Sequence, residues 1–400
     1  MHYQRFDPSG CDFPKPRVPM LAPFSRHTLG YGQANSKNPA DDGHSVCHFS
    51  RARYALLEAY RQSGVGLEGG LMAPAYHCRT MLDPAICLGA KVILYRLNPD
   101  LSVDLSALVT ALEKCQHPVK ALLATHYFGF GQNLAQVKSL CDRYAIALIE
   151  DCSHVLFAGS DRIVPAAAGT ALGKSGRFCV ASPYKFFSCE DGGTLWATTA
   201  QGLLCHKQRR PKLFNEVKSW LRAAQHACAA PLLPDPSTLS DQINAWTSLP
   251  LPTGQDGPVH DEHASQHYVE ADASLQSLAG SRWIMRHTNI TRLVDRRRLH
   301  YQQWVNAMAG LPHCRTLFPE LPHDVVPYAF PLYLEQPETH FYALKMLGVP
   351  VWRWDDLAVS TCPVATDFRL RLLHLPCHQE LTAEQMLWMT SAVQLVMRQL

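Results

Sequence analysis

The chain has 400 residues, 47% of them apolar and 18% charged, with a formal net charge of +3 at neutral pH. That length exceeds what one hydrophobic core usually serves, so two subdomains are expected, and the composition is that of an ordinary globular protein. So small a net charge offers no electrostatic case for nucleic acid or a membrane surface as the partner.

Residues 1–45 are rich in proline, polar groups and aromatics, as in FDPSGCDFPKPRVPMLAPF, and are expected to lie extended across the surface. They contain no apolar core of a signal peptide, and no run of about eighteen apolar residues for a membrane span follows anywhere in the chain. The folded body begins near Val46, where Ser50 is placed as the N-cap of a helix reaching Tyr60. The N-terminus of that helix would offer free backbone N–H groups to a phosphate, with Arg51 and Arg53 adding charge; a plain amphipathic core helix is the competing reading. A strand is expected over Gly89–Tyr95, a helix over Asp104–Leu112, a strand over Val119–Gly129 and a helix over Leu134–Tyr144. This alternation is the βαβ rhythm of a mainly parallel sheet covered by helices.

The run Ala145–Ile149 reads as a buried strand that ends in Glu150–Asp151. A carboxylate at the C-terminal end of a parallel strand stands where open α/β sheets hold ligands. A second strand-like run, Phe178–Ala181, leads into Ser182-Pro183-Tyr184-Lys185, and Gly192-Gly193 turns the chain into a third, Thr194–Thr198. One acid at a strand tip and one lysine on a neighbouring loop suit pyridoxal phosphate, which needs a lysine amine and an anionic partner for its pyridine nitrogen. Taken singly, Lys185 reads as a surface lysine and Asp151 as a helix cap; together they favour the chemistry.

From Gln201 to Val269, prolines punctuate a polar stretch with few periodic runs. Ser281 to Trp304 then reads as one long helix, and the charge run Arg296-Arg297-Arg298 on it as a solvated face with no catalytic part. A strand at Pro327–Tyr333, a helix at Thr339–Gly348, a short strand at Val349–Trp352 and a last helix at Ala383–Leu400 complete the expected elements. The 14 cysteines form no ligand-spaced motif, and no metal is expected; Cys87 and Cys179 read as small buried hydrophobes of a reducing, cytoplasmic protein.

The segments Glu150-Asp151-Cys152-Ser153-His154 and Ser182-Pro183-Tyr184-Lys185 resemble the site of the DegT/DnrJ/EryC1/StrS aminotransferases, fold-type I pyridoxal-phosphate enzymes. Further similarities are Pro74-Ala75-Tyr76, His126-Tyr127-Phe128-Gly129, Arg297-Arg298 with Tyr301, and Leu375-Pro376-Cys377-His378. The resemblance implies Lys185 as the Schiff-base lysine and catalytic acid–base group, and Asp151 as the partner of the pyridinium. It sets His154 near the cofactor's phenolic oxygen and Ser182, Ala52 and Arg53 around the phosphate. Cys78 falls at the place over the cofactor ring where relatives carry an aromatic, with His77 as a competitor, and Ala52 replaces the usual glycine. The implied fold is a large domain over 46–280, containing an insertion-like region at 201–270, and a smaller α+β domain over 281–400.

The implied activity moves an amino group from an amino acid such as glutamate to a carbonyl acceptor, above all a keto-sugar nucleotide, in a homodimer with its sites at the interface. The helix motif with Gln-Ala-Ala that sugar-nucleotide members carry is missing here, which keeps lipid, polyketide and other carbonyl acceptors open. A non-catalytic relative that binds or regulates is the other class, and it would be expected to have lost Lys185 or Asp151.

Overall fold

The computed structural model describes residues 1–30, 46–157, 172–198, 203–204, 206–228, 233–247 and 254–400. Positions 31–45 of the expected extended N-terminal segment, and parts of the 201–270 region, lie outside the described residues.

In chain order the first half supplies β1 (His2–Asp7), β2 (Val46–Phe49), α1 (Ala52–Gln62), β3 (Gly70–Pro74), α2 (Arg79–Cys87), β4 (Val92–Tyr95), α3 (Leu105–Lys114), β5 (Val119–Thr125), α4 (Ala135–Arg143), β6 (Ala147–Cys152), β7 (Phe178–Ala181) and β8 (Gly193–Ala197). Seven of these strands form one sheet in the order β2-β8-β7-β6-β5-β3-β4. Strands β4, β3, β5, β6 and β7 run parallel, and β8 runs antiparallel to β7 and β2. The mainly parallel sheet read from the sequence is thus present. Its inner strands β3, β6, β7 and β8 are buried almost throughout, as strands covered on both faces must be.

The second half supplies α5 (Leu213–Cys228), α6 (Leu239–Thr247), β9 (Gln255–His260), α7 (Ala279–His287), α8 (Ile290–Met308), β10 (Cys314–Thr316), β11 (Ala329–Leu334), α9 (Pro337–Met346), β12 (Leu357–Ala358), α10 (Pro363–Arg371), β13 (Leu372–Pro376) and α11 (Ala383–Gln399). Strands β10, β11 and β13 form an antiparallel sheet whose core includes Trp304, Phe330, Leu375 and Trp388. Strand β1 lies between β9 and β12, so the start of the chain is sewn to its second half.

Several expectations need correcting. The long helix expected over 281–304 is two helices, because Asn289 leaves helical geometry and its side chain caps Arg292 N. The N-cap of α1 is Arg51, not Ser50. Val349–Trp352 forms no strand and contributes a single bridge, Trp352 to His374. The proline-punctuated region contains α5 and α6, whose periodicity the prolines obscured. Cys179 is buried, but Cys87 is exposed at the end of α2, and Cys47 is joined in a disulfide. No helix among the described residues is long and apolar enough to cross a membrane.

Candidate active site

The C-terminal ends of β6 and β7 meet side by side, with Asp151 paired to Val180 and Cys152 to Ala181. Asp151 is buried, and its Oδ1 accepts Ser153 N at 2.9 Å. Beyond Ala181 the chain passes Ser182, also buried, and tightens into a 3₁₀ turn over Pro183–Lys185, closed by Lys185 N donating to Ser182 O. Proline at the first position suits this turn, since its fixed φ is pre-set for helical geometry.

From the turn, Lys185 Nζ reaches over the ring of Tyr328, 5.4 Å from its centroid. The same ring stacks on His154 at 4.3 Å, with an interplanar angle of 23°. His154 Nδ1 accepts Phe128 N, and burial first, then the nearness of Lys185 and His374, holds its pKa well below the usual value. His374 is pushed down to about 3 by burial and by Lys185, and lies 3.3 Å from the Tyr76 hydroxyl. Both imidazoles are therefore neutral around the lysine. Trp354 packs against Tyr76, His154 and His374 and closes this aromatic shell.

Of the residues read from the sequence, Lys185 and His154 converge on Tyr328, with Asp151 and Ser182 on the adjoining strand ends. Cys78 is the N-cap of α2, its Sγ 3.2 Å from Thr80 Oγ1. His77 is buried, with Nε2 accepting Ala358 N. His126 belongs to the framework: its Nδ1 accepts Gln132 N, so Nε2 carries the proton and donates to Glu150 at 2.9 Å. Burial works against the Glu150 carboxylate, but His126 and the backbone N–H groups of Gly173 and Gly176 hold its pKa below the usual range. His126, Glu150 and Cys152 lie close enough to suggest a metal site, yet the His and Glu groups are already engaged in these hydrogen bonds.

Ala52 and Arg53 open α1, whose N-terminus has no side-chain cap. Strand β8 is pressed against it: a Cβ on Gly193 would stand 2.3 Å from Arg51 C and 2.6 Å from Ala52 N. Arg51 donates to Glu190 O and lies over the Tyr184 ring at 4.8 Å, while Arg53 has no hydrogen bond or ion pair with another described residue. The hydroxyls of Ser50 and Ser188 are buried nearby without partners. A helix N-terminus without a side-chain cap, an uncommitted arginine and two unpaired hydroxyls fit the phosphate of the cofactor. A cleft of about 580 Å³ opens from here past Tyr184, walled by Met20, Phe24, Trp220 and Trp352. Residues 19–24 of the N-terminal segment line this cleft.

The sequence reading missed Tyr328, Trp354 and, above all, Arg297. Arg297 is not on a solvated face: it is 1% exposed and its guanidinium reaches the Lys185 turn. Leu293, Arg297, Tyr301, Trp304 and Met308 share the buried side of α8, and that helical spacing was the signal available.

Residues 42–210 match the sequence profile of the DegT/DnrJ/EryC1/StrS aminotransferase family. The fold is similar to a DegT DnrJ EryC1 StrS aminotransferase from Brucella abortus, at 15% identity and a TM-score of 0.58 over 92% of this chain and 91% of that one. It is similar to PseC of Helicobacter pylori, an aminotransferase involved in the biosynthesis of pseudoaminic acid, at 14% identity and a TM-score of 0.59 over 93% of each chain. A putative sugar aminotransferase from Streptococcus pneumoniae, in its PMP form, matches at 12% identity and a TM-score of 0.61 over 95% of this chain and 99% of that one. The profile match spans residues 42–210, and the mainly parallel sheet with its covering helices is the fold these solved aminotransferases share with this chain.

Proposed function

We propose that this chain is a pyridoxal-phosphate aminotransferase that takes its amino group from an amino acid, glutamate foremost, and delivers it to the carbonyl of a keto-sugar nucleotide. The observation that carries the reading is the meeting of Lys185 and His154 on Tyr328, beside an uncapped helix N-terminus. In this reading Lys185 holds the cofactor and moves the proton at the substrate carbon. Asp151 faces the pyridine nitrogen, His154 the phenolic oxygen, and Ser182, Ala52 and Arg53 the phosphate, with Cys78 beside the ring. The cofactor, when bound, supplies the electron sink that makes loss of that proton feasible. The neutral imidazoles of His154 and His374 leave Lys185 as the basic group of the shell.

A second reading is favoured by the cleft itself. Its Met20, Phe24, Trp220 and Trp352 walls suit an acceptor with an apolar body, as in a lipid or polyketide carbonyl. We also infer a homodimer completed around the site. Leu213, Phe214, Val217, Trp220 and Leu221 form one apolar stripe on α5, each at least 40% exposed, beside the cleft mouth. The same reading keeps the division into 46–280 and 281–400 and a cytoplasmic setting.

The test is spectroscopic. Wild-type protein given pyridoxal 5′-phosphate should develop a visible band that borohydride bleaches while fixing the pyridoxyl group to the chain, and Lys185→Ala should not. Glutamate should bleach the wild-type band, and mass spectrometry should then find an aminated keto-sugar nucleotide rather than an aminated lipid aldehyde. A protein that stays colourless with added cofactor would sink the assignment.

A further inference from the structure

A buried arginine normally sits against a carboxylate, because an unpaired charge in the interior is expensive. Arg297 does not. No carboxylate lies within ion-pair distance of it among the described residues. Instead, all five of its N–H groups end on neutral oxygens. Nε donates to Gln379 Oε1 at 2.9 Å, one terminal nitrogen to Pro327 O and Tyr328 O at 3.1 Å each, and the other to Lys185 O at 3.0 Å and Phe186 O at 3.3 Å. Gln379 Nε2 donates to Phe186 O as well, and the guanidinium lies 4.6 Å from the Phe186 ring centroid. Burial pushes its pKa down only to about 10, so it is charged at neutral pH.

These partners are not arbitrary. Lys185 and Phe186 are the end of the turn that carries the reactive amine, and Pro327 and Tyr328 lead into β11 and bring the Tyr328 ring under Nζ. One planar group in α8 thus fixes the lysine and the ring it crosses in a single frame. A guanidinium is suited to this: five donors in a rigid fork can hold four carbonyls and an amide at once, whereas an ammonium has three donors on a flexible stem.

We propose that Arg297 is a positioning residue, which sets the Lys185 amine against Tyr328 by clamping the main chain on both sides of the site. The proposal rests on the reading of Lys185 as the cofactor-bearing lysine. It predicts that Lys is not a conservative replacement at 297 and that the loss is one of orientation, not merely of folding.

The experiment titrates wild type, Arg297→Lys, Gln379→Ala and Lys185→Ala with pyridoxal 5′-phosphate, following visible absorbance, visible circular dichroism per bound cofactor, and thermal unfolding without cofactor. The cofactor is achiral, so its dichroism reports how firmly the protein orients it. Arg297→Lys should remain coloured, bind the probe at least about tenfold more weakly, as losing one charge-assisted hydrogen bond implies, and lose most of the dichroism. Gln379→Ala removes one of the five partners and should move the same signals less, which keeps the proposal testable if Arg297→Lys does not fold. Dichroism and affinity unchanged in both variants, with only the unfolding temperature lowered, would overturn it and leave Arg297 a packing residue. Lys185→Ala separates the two readings: a visible band in that variant that borohydride converts into a covalently retained pyridoxyl group would refute the lysine assignment itself.

Discussion

Gly193→Ala tests the phosphate site without replacing any residue proposed to contact the cofactor. The new Cβ would stand 2.3 Å from Arg51 C, 2.4 Å from Arg51 O and 2.6 Å from Ala52 N, all of them main chain. Ordinary contact requires about an ångström more, so the start of α1 and the start of β8 must part by roughly that much. Overpacking of this kind costs about 1–3 kcal/mol of stability. The same shift withdraws the N–H groups of the first turn from the phosphate. Losing one charge-assisted hydrogen bond and part of the dipole attraction amounts to about 2–3 kcal/mol, or roughly 30–160-fold in Kd. The assay compares pyridoxal 5′-phosphate with pyridoxal, which lacks the phosphate, by visible titration of wild type and variant. The phosphate ester should weaken by that factor and pyridoxal by less than about threefold, since only the former uses the helix N-terminus. Gly257→Ala is the control, because a Cβ there meets nothing within 4 Å. Equal weakening of both compounds, or no change for the phosphate ester, would refute the placement of the phosphate at α1.

Three other expectations follow from the same structure. Lys185→Ala should abolish borohydride fixation of the cofactor, which peptide mass mapping reads directly. Acid should destabilise the fold early: burial lowers His77 and His300 to about 4, and His374 and His378 to about 3. The unfolded chain takes up these protons near pH 6.5 and the folded chain does not. Stability therefore falls as pH drops from about 6.5 toward 4, by on the order of 2 kcal/mol per fully buried ring at pH 5. Asp191, raised to about 6 by burial, opposes this over a narrower window, so the urea midpoint should still be lower at pH 5 than at pH 7.5. A midpoint that is flat or rising toward acid would contradict these burials. Leu221→Asp on the exposed α5 stripe should shift sedimentation equilibrium toward monomer, and a wild type that already sediments as a monomer would dispose of the dimer.

What the sequence made legible was local. Asp151 and Lys185 stand at the tips of two short apolar runs, and an apolar run ending in a charge is readable without knowing its neighbours. The phosphate end was half legible: the helix was expected, but its cap was misplaced by one residue. Ser50 has the composition of a cap, yet its hydroxyl bonds to nothing and Arg51 takes the position, since β8 presses its backbone there. Tyr328, Trp354 and the Met20–Phe24 wall were illegible because each reaches the site across a large sequence separation, through contacts that no local pattern encodes.

Arg297 shows why residue type can mislead even where the pattern is sound. Three consecutive arginines read as a solvated face, and two of them do contact oxygens near the surface: Arg296 donates to Leu381 O, and Arg298 to Pro322 O and Val325 O. The helix nevertheless turns by a fixed angle per residue, and only Arg297 falls in line with Leu293, Tyr301 and Trp304. An acid elsewhere in the sequence would have advertised a buried arginine, but this one is satisfied by main-chain carbonyls and an amide, which leave no compositional trace. The periodicity of α8 thus outweighs the chemistry of its side chains as a guide to what faces the lysine.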